Sequence, residues 1–175
     1  MLPMDYHRTR DTSALVHLLQ ELKKIVPNMV LMGKDKEDQI LKDAARFTGA
    51  YFVGPSYDYQ SILNILKRAK FIVSGRYHNA IFATKVGCPV IPLHTSSQKI
   101  YGLASLFKGL MPKPVDPTDL WNEEKCVLNH AEAILEQGDS LRVAYTERAA
   151  KLREEALRLS GSIRDILEKS TAVPE

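Results

Sequence analysis

Four side chains in two short segments could together grip a small anion. Arg76 and His78 follow the apolar run Phe71-Ile72-Val73, and Ser97 and Lys99 follow the apolar run Pro89–Leu93. A guanidinium offers a planar fork of N–H donors that matches carboxylate or phosphate geometry. An imidazole adds a donor, or a proton when charged. Both segments lead into sequences of helical period, and the free N–H groups and dipole of a helix N-terminus favour negative charge. Arg76 and His78 are two apart, a spacing that puts them on different faces of a regular helix. They converge only if Arg76 lies in the turn before the helix proper. Singly, each residue has a plain structural reading: a surface arginine, a helix-start histidine, a solvated lysine. The combination at two neighbouring strand ends is what points to an anion pocket of Arg76, His78, Ser97, Lys99 and backbone N–H groups.

Hydrophobic periodicity supplies the elements that would position them. Asp11-Thr12-Ser13 offers N-caps for a helix through about Val26, with Leu15, Leu18, Leu19, Leu22 and Ile25 on one face. Met29–Met32 reads as a short buried strand closed by Gly33. Lys36–Thr48 reads as a second helix, with Ile40, Leu41, Ala44, Ala45 and Phe47 facing inward or partly so, and ends at Gly49. Tyr51–Val53 is the next strand, Tyr59–Ala69 a helix, Phe71–Val73 a strand, Arg76–Val86 a helix stopped by Gly87. Pro89–Leu93 is a strand and Ser97–Phe107 a helix. Leu110–Pro117 is irregular, with Pro112, Pro114 and Pro117. Thr118 to Ser170 is helical with a break near Gln137-Gly138-Asp139. Gly87 and Pro89 read as a helix stop and a strand start, and Cys88 as a small buried hydrophobe.

Short strands alternating with longer helices predict βαβ units and a parallel sheet. The expected fold is α/β: a Rossmann-like three-layer structure, a parallel sheet with helices on both faces, over residues 1–117, with a helical extension over 118–175. Ligands on such sheets sit outside the carboxyl ends of the strands, which directs attention to the loops Gly54–Asp58, Ser74–Asn79 and His94–Lys99. A Rossmann half usually opens on a strand, whereas here the first clear element is a helix. Leu2–Tyr6 reads as a degenerate strand, or the chain as the C-terminal part of something longer.

Composition bounds the function. The 175 residues fit one domain. Hydrophobic residues at 45% and charged residues at 26% describe a globular chain and argue against disorder. A formal charge of +3 is no nucleic-acid signature. No apolar run reaches the roughly 18–20 residues of a membrane span, and the N-terminus lacks a signal-peptide core. Two cysteines, Cys88 and Cys126, without metal-ligand spacing argue against a disulfide framework and for a reducing cytoplasm. No metal or organic cofactor is indicated.

The run S-G-R-Y-H-N-A-I-F-A-T-K-V-G-C-P-V-I-P-L, residues 74–93, followed by Lys99 and Gly102, resembles the polysaccharide pyruvyl transferase family. The shared features are the Arg76-Tyr77-His78 triplet opening a helix, the small residues Ala80 and Ala83, the strand start Gly87-Cys88-Pro89, and the downstream Lys99. The resemblance implies a fold similar to the C-terminal half of a two-Rossmann-domain glycosyltransferase of the GT-B type. It implies transfer of a pyruvyl group from phosphoenolpyruvate to a sugar hydroxyl as a ketal. Arg76 and His78 would bind the donor's phosphate or carboxylate, and His78 would donate a proton or bind phosphate. Lys99 would be a weaker candidate for the same task. Family members are about twice this length, with the active site between two domains, so the chain reads as the donor-binding half.

Tyr145, Ala149, Leu152, Ala156, Leu159, Ile163 and Ile166 are spaced 4, 3, 4, 3, 4, 3, a heptad-like stripe that Gly161-Ser162 could bend. The stripe fits packing on the chain's own layers, docking on a missing N-terminal domain, or a homodimer. Two competing functions use the same fold: a nucleotide-sugar glycosyltransferase or epimerase domain, for which Glu123 and Glu124 are the available carboxylates, and a non-catalytic partner-binding module.

Overall fold

The computed structural model describes residues 12–35, 38–95 and 97–171, with side chains to residue 163. The possible strand at Leu2–Tyr6, the Asp11 cap, Ser96 and the Ile166 side chain lie outside the described residues.

The chain opens on helix α1 (Ser13–Ile25), which buries Leu15, Leu18, Leu19 and Leu22 as its 3.6-residue period requires. Thr12 is the residue before it, but its hydroxyl makes no capping bond. Strand β1 (Val30–Met32) follows, then α2 (Gln39–Thr48); the helix start expected at Lys36 lies outside the described residues. Gly49 closes α2 in the left-handed region at φ 64°. Lys23 of α1 also caps that end, donating to the Thr48 and Gly49 carbonyls at 2.5 and 3.2 Å, where a cation suits the helix dipole. Strand β2 (Tyr51–Val53), helix α3 (Tyr59–Arg68), strand β3 (Ile72–Ser74), helix α4 (Tyr77–Lys85), strand β4 (Val90–Pro92) and helix α5 (Lys99–Leu106) complete the alternation.

The strands pair in parallel as expected, but as two separate pairs. β1 pairs β2 with Val30 opposite Tyr51, and β3 pairs β4 with Ile72 opposite Val90. Among the described residues no ladder joins the two pairs, so the continuous sheet expected from sequence is corrected to two parallel ribbons. Strands of three residues carry only about two ladder groups per edge, and Arg76 bridges the seam to Asp35 and Asp38 at one end. The β1–β2 pair is also less covered than its apolar sequence suggests. Val30 is 42% and Tyr51 73% exposed, and Phe47 of α2, expected inward, is 72% exposed. β4 by contrast is fully buried. The irregular stretch after α5 rejoins it: Val115 N–H donates to Pro92 at 2.9 Å and His94 N–H to Val115 at 2.7 Å.

A short 3₁₀ turn, Pro117–Asp119, feeds the long helix α6 (Leu120–Thr171). α6 is broken where the sequence suggests, at Gly138, whose φ of 55° and ψ of −133° are non-helical. Helical geometry runs through Gly161-Ser162. Val127, Ala131, Leu141 and Tyr145 join the same core as α1, α4 and β4. Arg142 ties α6 to the end of α3, donating to the Ala69 and Lys67 carbonyls at 2.6 and 2.8 Å. Gly87, at φ 70°, sits so close to α6 that a Cβ there would fall on the Thr146 hydroxyl and lie 3.1 Å from the Arg142 carbonyl. The heptad stripe therefore divides. Tyr145 is buried and Ala149 and Leu152 pack partly on the core, while Leu159 and Ile163 are 64% and 50% exposed.

Candidate functional site

Parallel pairing of β3 and β4 brings their carboxyl ends to one rim. Ser74 stands opposite Pro92, and Leu93 N–H donates to the Ser74 carbonyl at 3.0 Å. The loop carrying Arg76 and His78 therefore neighbours the loop carrying Ser97 and Lys99.

Arg76 is the residue that opens α4 without belonging to it. Its φ of −84° and ψ of 116° are extended, so it lies in the turn before the helix, the condition for sharing a site with His78. The buried Ser74 holds it there, its Oγ accepting the Arg76 N–H at 3.2 Å. His78 lies exposed in the first turn of α4, its ring edge-on to Tyr77 with centroids 5.9 Å apart. Ser97 closes a small turn, donating its N–H to Thr95 Oγ1 at 3.4 Å. Lys99 is the first residue of α5 and exposed. Among the described residues no hydrogen bond or ion pair links any two of Arg76, His78, Ser97 and Lys99. The rim also holds His94, whose Nδ1 is buried without a hydrogen-bond partner and whose ring packs edge-on to Tyr101 at 5.4 Å.

The Arg76 guanidinium reaches across the seam to the loop after β1. Nη1 donates to Asp35 Oδ2 at 2.7 Å, and Nη2 donates to both carboxylate oxygens of Asp38 at 3.2 Å. Asp38 is 1% exposed. It precedes α2 but does not cap it. Its Oδ2 instead accepts the backbone N–H groups of Lys34 at 2.6 Å and Asp35 at 3.0 Å. Burial alone would raise its pKa. The Asp35 and Lys34 N–H groups and the Arg76 charge outweigh that and hold it below the ordinary aspartate value. Space for this carboxylate depends on Gly33, where a Cβ would lie 3.3 Å from the Asp38 Cβ and 2.8 Å from the Phe52 ring.

Asp35 and Asp38 are the residues that sequence reasoning missed. The signal was present: Gly33-Lys34-Asp35 and Asp38 follow a strand, so the rule that selected the other strand-end loops selects this one too. What hid it was the composition of the loop, since charged residues between a strand and a helix read as a solvated turn. The result is a rim at which the Arg76 guanidinium is held by Asp35 and Asp38, its side chain 29% exposed, and the His78 imidazole is exposed in the first turn of the helix that follows.

Two shallow cavities lie elsewhere. One of about 440 Å³, beside Pro112, Asp116 and Glu123, contains Cys126 and His130, with Sγ and Nε2 3.4 Å apart. Burial pushes the His130 imidazole below its ordinary pKa, and burial followed by the Glu123 charge raises the Cys126 thiol. The other, about 570 Å³, lies along Lys42, Arg46 and Tyr51. Among the described residues no group of three or more His, Cys, Asp or Glu side chains is arranged to hold a metal ion, and no helix is long and apolar enough to cross a membrane.

The family model of polysaccharide pyruvyl transferases matches residues 9–97, just over half of the chain. The matched span contains Asp35, Asp38, Arg76 and His78 and stops short of Lys99. No curated protein and no solved structure matches the chain.

Proposed function

The chain belongs to the polysaccharide pyruvyl transferase family, and from that membership we propose that it carries the donor side of pyruvyl transfer, binding phosphoenolpyruvate at the rim formed by Arg76 and His78. The supporting observation is the placement of Arg76: outside its helix, fixed by Ser74, and partly exposed at the strand ends. Phosphoenolpyruvate is compact and carries both a carboxylate and a phosphate, the two groups a guanidinium fork binds best. His78, exposed and without a hydrogen-bond partner among the described residues, is free to meet a ligand from the same helix start. Ser97 and Lys99 would complete the pocket from the neighbouring loop.

In the transfer, one sugar hydroxyl adds to the enol carbon while a proton goes to the methylene, which becomes a methyl group. A second hydroxyl then closes the ketal as phosphate leaves with the bridging oxygen, and both hydroxyl protons are accounted for, one on the methyl group and one released. His78 is the candidate proton donor or phosphate ligand, a role worth about 10²–10⁴-fold in rate. Arg76 would stabilise charge on the departing phosphate. The two strand ribbons would be parts of a Rossmann-like, GT-B-type domain working in the cytoplasm on cell-surface polysaccharide. The sugar acceptor would bind with a further domain or a second copy, docked on the outer half of α6.

Thermal shift with phosphoenolpyruvate, uridine diphosphate and sulfate tests the donor. Phosphoenolpyruvate at about 100 times its Kd is expected to stabilise by about 2.7 kcal/mol, and uridine diphosphate to give little. Stabilisation by uridine diphosphate alone would overturn the reading in favour of a nucleotide-sugar enzyme.

A further inference from the structure

Arg76 is held by two carboxylates of different character. Asp38 is 1% exposed and engages two backbone N–H groups besides the guanidinium. Asp35 has a side chain 48% exposed, and among the described residues its carboxylate makes no hydrogen bond except to Arg76. Moving Asp38 away would leave two N–H groups and a buried charge unpaired, which is strongly unfavourable. Moving Asp35 away requires only a side-chain rotation into water and the loss of one exposed ion pair. Asp35 also occupies Nη1, one of the donors that an incoming carboxylate or phosphate would take. With both aspartates in place the cluster carries a net charge of −1, which repels an anion. With Asp35 displaced, the Arg76–Asp38 pair is neutral and one edge of the fork is open.

Resting on the donor-binding reading above, we propose that the two aspartates act on Arg76 in opposite senses: Asp38 is a positioning residue that holds the guanidinium at the rim, and Asp35 is a displaceable stand-in for the donor's anionic group. Asp38 therefore aids binding through Arg76, and Asp35 competes with it. The arrangement keeps the arginine pre-oriented and charge-compensated while the site is empty, and it releases a donor pair when a better anion arrives.

The full chain and the variants D35N, D38N and D35N/R76A test this by two readouts. The first is the rate at which phenylglyoxal modifies Arg76, read by peptide mass spectrometry without ligand. D35N is expected to react about two- to fivefold faster than the wild type, the factor that corresponds to removing an exposed ion pair. An unchanged or slower rate would overturn the competing role. The second is phosphoenolpyruvate affinity. D35N is expected to bind about two- to fivefold more tightly, and that gain is expected to vanish in D35N/R76A. D38N, in which the amide oxygen can still accept the turn's N–H groups, is expected to bind about tenfold more weakly with its circular dichroism intact. D38N binding like the wild type, or a D35N gain that persists without Arg76, would overturn the proposal. Faster Arg76 modification in D35N, with no phosphoenolpyruvate binding by any form, would leave Asp35 as the competitor at Arg76 and refute the donor reading instead.

Discussion

Arg76 and Asp38 are 38 residues apart in sequence, and both oxygens of the Asp38 carboxylate accept from one guanidinium nitrogen, Nη2, at 3.2 Å. No ladder hydrogen bond joins the β1–β2 pair to the β3–β4 pair among the described residues. This contact joins the loops at their carboxyl ends, so one polar link between the two ribbons also orients the candidate donor-binding arginine. A contribution of Asp38 to stability would therefore act at the same cluster as the proposed donor site.

That contribution has a pH signature. The folded Asp38 carboxyl titrates below the unfolded value of about 3.9. Its contribution to stability is complete above about pH 3.9 and is lost as pH falls through the lower folded value. Wild-type thermal stability is expected to drop more steeply on acidification below pH 4 than that of D38N, with the curves parallel from pH 5 to 7. Parallel curves throughout would mean that Asp38 contributes no proton linkage.

Gly87 tests the seating of α4 against α6. Its φ of 70° disfavours any side chain by about 1–2 kcal/mol, and its Cβ would overlap the Thr146 hydroxyl, adding about 1–3 kcal/mol. Gly87→Ala is expected to lower the urea midpoint, and Thr146→Ala in the same chain to restore part of the loss. A midpoint unchanged from the wild type would contradict this packing.

Tyr145 links the long helix to the buried strand. It is fully buried, its hydroxyl accepts the Val90 N–H and donates to the Leu110 carbonyl, both at 3.4 Å, and its pKa is raised chiefly by burial. Tyr145→Phe is expected to destabilise by about 1–3 kcal/mol through the Val90 N–H left without its partner, with the denaturant slope unchanged. A neutral effect would show that water or a shift of β4 satisfies that group.

The two thiols should separate in reactivity. Burial pushes Cys88 up to about 12, and it is fully enclosed, while Cys126 is partly exposed beside His130. Iodoacetamide at pH 8 is expected to label Cys126 alone in the native chain and both cysteines in guanidinium chloride. Rapid native labelling of Cys88 would contradict its place in the core.

Much of this was legible in the residues themselves. Period 3.6 marks α1 through Leu15, Leu18, Leu19 and Leu22, and Gly49, Gly87 and Gly138 mark the points where helices end or break. The two-residue spacing of Arg76 and His78 set only a condition, that Arg76 lie before the helix; the expected helix started at Arg76, and the structure starts it at Tyr77. What periodicity does not carry is the identity of the neighbour. Phe47 and Val30 fit an inward-facing pattern, yet both are exposed, while Leu31, Met32 and Phe52 pack partly on the core. The heptad stripe continues past Leu152 although the body it would pack on does not. Asp35 and Asp38 look like a solvated turn because their partner arrives from 41 and 38 residues away; the local pattern carries the loop's place at a strand end but not that contact.

If Arg76 binds the donor's anionic group, its removal weakens phosphoenolpyruvate binding. Calorimetric titration of phosphoenolpyruvate into the wild type and Arg76→Ala measures it directly. The wild type is expected to bind, and the variant to bind at least about tenfold more weakly, the loss of one charge-assisted pair, while remaining folded. Equal affinity in the two proteins would remove Arg76 from the site.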